Sequence, residues 1–327
     1  MSIFYCVGFL LLGCPKSNIQ KNNKQNEALQ SKSVEQNTEE SALAWKSTVN
    51  PNHPLVGKWW DVNNQQFISY EDVVADIRSS SILLLGEKHD NADHHLLQSK
   101  IIQSIPEQDS VAISFEMLNN PSLLTDQTWT STSQFSTQVQ WEQSGWPEFQ
   151  IYEPIFKIAI QRQYKIVAGS PSRKEMMSVA RGTMDEVEME KLGITSDLPK
   201  EFQDDLRQEI INSHCGYASE DMVVMMIAAQ RYKDAIMAKS ITDQLSTHQK
   251  VVLIAGGGHT RNDRGVPLYL DEKLKDNNIS ILPVEVQEGL TKPEEYTSIA
   301  DFLYFTPRVD NIDPCEKYKE QLQKMSH

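Results

Sequence analysis

The stretch ILLLGEKHDNADHH, residues 82–95, joins an apolar run to a dense cluster of ionisable side chains. Four consecutive large apolar residues are typical of a strand buried on both faces, as in a parallel sheet. The Asn and Asp residues that follow can cap a helix, which we expect over residues 91–105 because Pro106 stops it. Three of the eight histidines in the 327-residue chain lie in this stretch, so the end of the strand is a candidate functional site.

Comparable apolar runs recur along the chain and alternate with helical patterns. They are Val111–Phe115, Ile166–Ala168, Val251–Ala255 and Ile279–Leu282. Pro154 fits the first turn of a helix that reaches about residue 163, and Ser219 can cap a long helix through about residue 245. This alternation predicts one α/β domain with a mostly parallel central sheet and helices on both faces.

The segment 117–150 does not fit this alternation. Trp129, Trp141 and Trp146 lie there among Ser, Thr and Gln residues. Short helices that carry core aromatic residues explain the pattern, and an insertion or lid is the alternative. We favour the core aromatics.

Ionisable side chains follow the predicted strands, and the ligands of open α/β sheets bind at the carboxyl ends of the strands. Glu87 and His89 follow the first run, Glu116 ends the second, Arg173 follows the third, and His259 and Arg261 follow the fourth. Because the carboxyl ends of parallel strands share one edge, we expect these side chains to line a single rim. Structural roles are the alternative, such as a helix cap for Glu87 or a buried pair of Glu116 with Arg173.

Two adjacent histidines fall in the first turn of the predicted helix and point in different directions. His94 projects on the same side as Leu97 and Ile101, so we expect it to face inward. The positive end of a helix disfavours the imidazolium ion, which predicts a neutral His94. His95 is turned about 100° away and is predicted to be a framework or rim residue.

A carboxylate beside a neutral histidine can activate water, with or without a divalent metal. Under this hydrolase hypothesis the catalytic candidates are Glu87, His89, His94 and His259. We assign no metal ligands, because no His-Glu-x-x-His helix occurs and the spacing of His89 and His94 is not a familiar zinc pattern. The glycine run that ends at His259 lacks the third glycine of a dinucleotide fingerprint and instead fits a tight turn.

The charge balance of the chain excludes one class of partner. Lys and Arg number 31 against 45 Asp and Glu, a formal net charge of -14, whereas nucleic-acid recognition needs a basic surface. We therefore expect no nucleic-acid partner. The sequence leaves open whether Cys215 and Cys315 pair in an oxidising compartment.

The N-terminal residues differ from the rest of the chain. The first 14 residues, MSIFYCVGFLLLGC, resemble the lipobox signal of a bacterial lipoprotein, in which Cys14 becomes the lipidated residue. They depart from it in having no Lys or Arg before the apolar run, and a plain apolar end is the alternative. Residues 15–52 are polar and predict a flexible tether, and residues 307–327 predict a polar C-terminal tail.

Five motifs together resemble those of the ChaN family of haem-binding uptake lipoproteins. They are GEKHDNADHHLLQ, SFEM, KIVAGSPSR, AAQRYKDAIMA and AGGGHTRNDRGVP, in the family's order. The lipobox agrees with this resemblance, as does GKWWD near the start of the domain. The resemblance implies a ChaN-like domain over residues 53–306, non-covalent haem binding, a homodimer that shares two stacked haems, and a lipid anchor in the bacterial cell envelope outside the cytoplasm.

The resemblance makes haem uptake the first functional hypothesis, with a binding protein expected rather than an enzyme. Hydrolysis of the Tiki or erythromycin-esterase type is the alternative within the same superfamily. Haem iron takes an axial Tyr or His, and the resemblance points to tyrosine, for which Tyr152 and Tyr269 are the candidates. Arg173, His259 and Arg261 are the candidates for the haem propionates.

Overall fold

The structure is a computed structural model that describes residues 44–125, 127–296, 299–317 and 319–325. The strands are β1 (Trp59–Asp61), β2 (Gln66–Ile68), β3 (Ile82–Leu85), β4 (Val111–Phe115), β5 (Lys165–Ala168), β6 (Lys250–Ile254), β7 (Asn278–Glu285) and β8 (Phe302–Thr306). They form an eight-stranded sheet in the order β2-β1-β8-β7-β3-β6-β4-β5. Strands β3 to β8 pair in parallel, whereas β1 is antiparallel to both β2 and β8. The predicted α/β fold with a mostly parallel sheet is thus confirmed.

Helices lie between most of the strands, and the last two follow the final strand. They are α1 (Tyr70–Ser79), α2 (Ala92–Ser104), α3 (Thr132–Gln138), α4 (Phe149–Gln161), α5 (Arg173–Ala180), α6 (Glu186–Lys191), α7 (Lys200–Ser213), α8 (Glu220–Leu245), α9 (Glu272–Lys275), α10 (Pro314–Lys317) and α11 (Lys319–Met325). The predicted caps are confirmed, because the Asn91 side chain accepts the Asp93 N–H and the Ser219 side chain accepts the Met222 N–H.

Helix α4 begins earlier than the sequence predicts. Pro154 lies inside the helix rather than in its first turn. The preceding turn contains Tyr152, which is fully buried in the main core. Because packing of an apolar face supplies most helix stability in proteins, this burial outweighs the hydrogen bond that Pro154 cannot make.

Alternate residues of β3 belong to two different cores, as the period of a strand requires. Leu83 and Leu85 belong to a core that includes side chains of α2 and α4. Ile82 and Leu84 belong to a second core that includes side chains of α8. Strand β3 is therefore buried by helices on each side, which explains its unbroken apolar sequence.

The tryptophans of the segment 117–150 are core residues. Trp129 and Trp141 are buried, and Trp146 is half-buried against the same core. The interpretation as core aromatic residues is confirmed, although only Trp141 lies on a short helix, the 3-10 helix Trp141–Gln143.

The folded domain begins before the predicted end of the tether. The N–H groups of Lys46 and Ser47 donate to the carboxylate of Asp93 at 2.7 and 2.9 Å, and Trp45 packs against the main core. The prediction of a tether up to residue 52 is wrong for residues 44–52. One aromatic ring and one buried carboxylate hold this polar segment, and composition averaged over a window does not reveal such contacts.

The predicted C-terminal tail is also attached to the domain. A disulfide joins Cys215, just after α7, to Cys315 in α10, across 100 residues of sequence. The N–H of Val309 donates to Glu285 at 3.0 Å.

Residues 1–43, which hold the predicted lipobox, Cys14 and most of the tether, lie outside the described residues. Among the helices that the structure describes, none is both long enough and apolar enough to span a membrane.

Candidate functional site

Three neighbouring strand ends bring predicted rim residues together. Strand β6 lies between β3 and β4 in the sheet, so Glu87, Glu116 and His259 emerge side by side. The N–H of Gly257 donates to the carbonyl of Glu87 at 2.9 Å, which connects the turn after β6 to the turn after β3. The site is therefore built on turns that backbone hydrogen bonds hold against each other.

Glu87 is a fully buried carboxylate that has four side-chain partners. They are His89 Nδ1 at 2.8 Å, Tyr152 OH at 2.7 Å, Gln98 Nε2 at 3.0 Å and His95 Nδ1 at 3.2 Å. Burial by itself would raise the pKa of Glu87, but the charge of His95 and the hydrogen bonds from both histidines hold it well below its usual range. Glu87 is thus a stable anion at the base of the site.

His94 and His95 have roles that are exchanged relative to the prediction. His94 is buried, but its Nδ1 accepts the Lys88 N–H at 2.9 Å and its Nε2 bonds to Thr306 Oγ1 at 3.0 Å, so it belongs to the framework. The prediction that His94 is neutral is confirmed, because burial lowers its pKa to about 3. His95, predicted to be a framework or rim residue, is fully buried against Glu87.

The surroundings of His95 favour its charged form. Its Nε2 donates to the carbonyl of His89 at 3.1 Å, while Nδ1 faces acceptor oxygens of Gln98 and Glu87. Burial opposes the charge, but Glu87 outweighs burial and raises the pKa of His95. Helical periodicity did not predict which of the two histidines contacts Glu87, because α2 is buried on several faces.

Glu116 is the second buried carboxylate. Its Oε1 lies 2.5 Å from Lys233 Nζ and 3.3 Å from His259 Nε2, and its Oε2 accepts the Gly256 N–H at 2.8 Å. Burial would raise the pKa of Glu116, but His259 and then Lys233 hold it well below the usual range. The alternative in which Glu116 pairs with Arg173 is wrong, because Lys233 of α8 supplies the cation instead.

His259 lies between two carboxylates. Its Nδ1 is 2.5 Å from Asp234 Oδ1, and its Nε2 faces Glu116. Burial would lower the pKa of His259, but Glu116 and Asp234 outweigh burial and raise it to about 9. His259 is therefore an imidazolium ion at neutral pH, which is suited to stabilising negative charge and not to accepting a proton.

His89 is the member of the site that solvent reaches. Its side chain is 34% exposed, and its ring lies edge-on to Trp146 with 4.8 Å between centroids. Its Nδ1 is held by Glu87, and its Nε2 lies 3.8 Å from Glu116 Oε2. If Nδ1 donates to Glu87, the neutral ring presents an unprotonated Nε2 that can act as a general base.

A glycine creates the space for this ring. A Cβ atom at position 256 would lie 2.8 Å from the Nε2 of His89. The first glycine of the run therefore permits a close approach between the β6 turn and His89, rather than cradling a phosphate.

The contribution of α8 to the site was not predicted from the sequence. Lys233 and Asp234 lie in the motif AAQRYKDAIMA, and Asp234 is buried. A buried acid on a helix rich in Ala and Met was the available signal, since an unpaired charge is rarely buried.

The candidates for haem contacts are spread over several parts of the molecule. Tyr152 is buried and donates to Glu87, whereas Tyr269 is half-buried and accepts from Arg231 Nε at 3.2 Å. Arg173 is exposed at the start of α5. Arg261 forms ion pairs with Asp205, Glu209 and Asp263.

Among the described residues, no group of three or more His, Cys, Asp or Glu side chains is arranged to hold a metal ion. The arrangement at the strand ends consists instead of carboxylates paired with imidazoles and one ammonium group. Such a set can orient a base and stabilise an anion.

Residues 73–270 match the family model for haem-binding uptake, Tiki superfamily, ChaN. A solved structure with cofacial haem binding to ChaN of Campylobacter jejuni is 22% identical, with a TM-score of 0.61, and the alignment covers 75% of this chain and 95% of that one. The type III effector HopBA1 is 10% identical over 81% of this chain and 99% of that one, with a TM-score of 0.41. A variant of the erythromycin esterase EreC in its open conformation is 14% identical over 80% and 86% of the two chains, with a TM-score of 0.38. No curated protein sequence matches the chain.

Proposed function

The chain belongs to the ChaN family of haem-binding uptake proteins in the Tiki superfamily, and from this premise we propose that it binds haem non-covalently for iron uptake at the cell envelope. The family match over residues 73–270 is the observation that carries this proposal. The Campylobacter jejuni protein of the same fold binds haem cofacially, and we extend the proposal to a homodimer that shares two haems.

Two of the residues first considered do not fit a haem. Tyr152 is fully buried, and its hydroxyl is committed to Glu87, so a haem iron has no access to it. Arg261 already binds three carboxylates, which leaves little positive charge for a propionate. Arg173 is exposed and forms no ion pair among the described residues, so it remains our candidate for that role.

Tyr217 is a better axial candidate than the tyrosines nominated from sequence. It is half-buried just before α8, and its hydroxyl makes no hydrogen bond among the described residues. Val224 and Met225 follow on α8 and are 57% and 40% exposed. A porphyrin face needs apolar surface of this kind, and its iron needs an accessible oxygen or nitrogen ligand. We therefore propose Tyr217 as the ligand, with Tyr269 as the competing candidate.

Titration of the purified protein with haemin, followed by Soret absorbance, tests this proposal. We expect saturable binding, loss of the phenolate spectral signature with Tyr217→Phe, and weakening with Val224→Glu. Phe67→Glu, at an exposed apolar residue of β2, is the matched control and should leave binding unchanged. Absence of a saturable shift would contradict haem binding, and an effect of Tyr269→Phe alone would assign the ligand to Tyr269.

The strand-end site supports a second candidate function, hydrolysis by activated water. The observation that favours it is the pair of carboxylate–imidazole contacts, Glu87 with His89 and Asp234 with His259. We propose that His89 Nε2 accepts a proton from water, that Glu87 orients the ring, and that the His259 imidazolium stabilises the anion that develops. This proposal uses no metal, in contrast to the metal-dependent form considered from sequence, because no three His, Cys, Asp or Glu side chains among the described residues are arranged to hold one.

Turnover of chromogenic esters and amides by the purified protein tests the hydrolase proposal. His89→Ala should remove the activity, whereas His248→Ala, at a partly exposed histidine after α8, should leave it unchanged. Both variants should still bind haemin. Activity that survives His89→Ala, or its absence in the wild type, would count against this second function.

We also propose that the protein is a lipoprotein anchored through Cys14 and held off the membrane by the polar residues that follow. The apolar N-terminal run and the Gly13–Cys14 pair support this. Cys14→Ser should release the protein from the membrane fraction, whereas Cys6→Ser should not. Unchanged partition of the Cys14→Ser variant would refute the anchor.

A further inference from the structure

The segment that follows β8, residues 307–317, contacts the carboxyl edge of the sheet, and we call it the strap. Near its start, the N–H of Val309 donates at 3.0 Å to Oε1 of Glu285, the last residue of β7. The same oxygen accepts from Asn91 Nδ2 at 2.9 Å and from Lys88 Nζ at 3.1 Å. One carboxylate therefore joins the strap to the turn that follows β3.

The far end of the strap, in α10, contacts the same turn a second time. Lys317 Nζ lies 3.2 Å from Oδ2 of Asp90, the residue directly after His89 in the sequence. Lys317 also pairs with Asp310 at 2.8 Å, which closes the strap into a loop. Both ends of the strap thus hold the turn that presents His89.

A disulfide connects the strap to the opposite side of the strand-end site. Cys315 in α10 is bonded to Cys215, just after α7. Two carboxylates of α7 in turn pair at 3.0 Å with Arg261, which lies in the turn that follows β6. The disulfide therefore completes a ring of contacts that runs from the turn after β3, through the strap and α7, to the turn after β6.

The disulfide is the strongest attachment of α10. No side chain of α10 is buried, and Ile312 just before it is 53% exposed, so apolar packing does not hold this part of the strap. The side chains of Lys317 and Asp90 are 30% and 32% exposed, and ion pairs that water reaches contribute little stability. Cleavage of the disulfide would therefore free α10 and, with it, the contact on Asp90.

We propose that the Cys215–Cys315 disulfide is a redox-sensitive switch of the strand-end site. In the oxidised protein the strap holds the turn of His89 in place, and reduction releases the strap and loosens that turn. This inference rests on the proposed role of His89 as the base of the site. Both cysteines are only partly buried, so an external dithiol can reach them.

The switch operates by thiol–disulfide exchange with a protein dithiol. A thiolate of the dithiol attacks one sulfur of the pair, which breaks the Cys215–Cys315 bond and forms a mixed disulfide. The second thiol of the dithiol then displaces the remaining cysteine. The dithiol is oxidised to a disulfide, and two electrons and two protons pass to Cys215 and Cys315, which become thiols. An oxidising compartment favours the closed state.

Hydrogen exchange of the whole purified protein, measured by mass spectrometry before and after reduction, tests the proposal. We expect exchange in the strap to accelerate by about tenfold or more, and exchange in residues 86–91 to accelerate with it, because local opening becomes easier. Helix α1 should keep its protection, which would show that the fold is retained. The double variant Cys215→Ser, Cys315→Ser should behave like the reduced protein and should not respond to the reductant.

Two further measurements connect the strap to His89. Diethyl pyrocarbonate acylates accessible neutral imidazoles, and we expect its rate at His89 to rise by about 3- to 10-fold on reduction. Lys317→Gln leaves the disulfide intact and should also accelerate exchange in residues 86–91. Lys319→Gln removes an exposed ion pair with Glu316. It is the matched control and should leave exchange in residues 86–91 unchanged.

Three results would overturn the proposal. They are unchanged exchange in residues 86–91 on reduction, equal effects of Lys317→Gln and Lys319→Gln, and an unchanged rate of acylation at His89. These readouts require neither turnover nor haem. A wild-type protein without hydrolase activity would therefore count against the second proposed function, whereas the switch is decided by exchange and acylation alone.

Discussion

The hydroxyl of Tyr152 donates a 2.7 Å hydrogen bond to Oε1 of Glu87, and both side chains are buried. The bond connects α4 to the turn after β3 across 65 residues of sequence. It also explains why the helix extends past Pro154 towards its N-terminus, since Tyr152 must reach the strand-end carboxylate. Burial and the adjacent charge of Glu87 raise the pKa of Tyr152 far above its ordinary value, so the phenol remains a donor.

Tyr152→Phe should destabilise the protein, because it removes a hydrogen bond from a buried anion. We expect a loss of about 1–3 kcal/mol in the free energy of unfolding, measured by chemical denaturation. Tyr232→Phe is the matched control, since that buried hydroxyl has no partner among the described residues, and the variant should be neutral or slightly stabilised. Equal losses in the two variants would contradict the role of Tyr152.

Asp234→Asn should change how stability depends on alkaline pH. The pKa of His259 is raised to about 9, above its unfolded value of about 6.5. Its stabilising contribution is therefore fully present below about pH 6.5 and is lost as pH rises through about 9. In Asp234→Asn the pKa of His259 falls. The difference in unfolding free energy between the wild type and the variant should therefore shrink as pH rises from about 6.5 to about 9.

Denaturation curves from pH 6 to 10, together with NMR titration of the His259 ring, would measure this effect. Asp243→Asn removes an exposed helix carboxylate and should leave the titration of His259 unchanged. A wild-type His259 that titrates near its ordinary pKa would disprove the prediction.

Gly256→Ala should displace the ring of His89. The new Cβ would lie 2.8 Å from His89 Nε2, and such overpacking usually costs about 1–3 kcal/mol. Gly258→Ala is the control, because its Cβ would meet Glu209 at 3.5 Å, an ordinary contact. The two variants should differ in unfolding free energy and in the NMR signals of His89, and identical behaviour would refute the close approach.

Loss of the Cys215–Cys315 disulfide should lower stability by about 2–5 kcal/mol, because the bond closes a long loop in the unfolded chain. Unfolding with and without a reducing agent measures the loss. The double variant Cys215→Ala, Cys315→Ala should be as unstable as the reduced protein and should not respond to reductant. A wild-type protein whose unfolding is insensitive to reduction would argue that the pair does not form.

Local sequence was enough to predict the strands that carry the site. The runs Ile82–Leu85 and Val111–Phe115 match strands β3 and β4 in full. Because both faces of these strands are buried, every position is apolar, and the whole strand can be recognised from its sequence. Because the carboxyl ends of parallel strands share one edge of the sheet, the sequence also predicted that Glu87, Glu116 and His259 lie together. This prediction needed no information about the loops.

Helical periodicity failed where a helix is enclosed on more than one side. In α2 the consecutive residues Asp93, His94 and His95 are all buried. Consecutive residues point to different sides of a helix, so α2 is covered on more than one side. The segment near Trp45 binds Asp93, and α4 covers His95 through Tyr152. Such neighbours come from distant sequence, so the direction of a side chain on its own helix does not identify its partner.

Sequence by itself determined the α/β fold, the family resemblance and the strand-end residues, since these depend on local patterns of burial and on motif order. Only the tertiary structure decided the partners of each charge: His95 rather than His94 for Glu87, and Lys233 rather than Arg173 for Glu116. The physical reason is that a buried charge must be paired, and the pairing group can come from any element that packs against it.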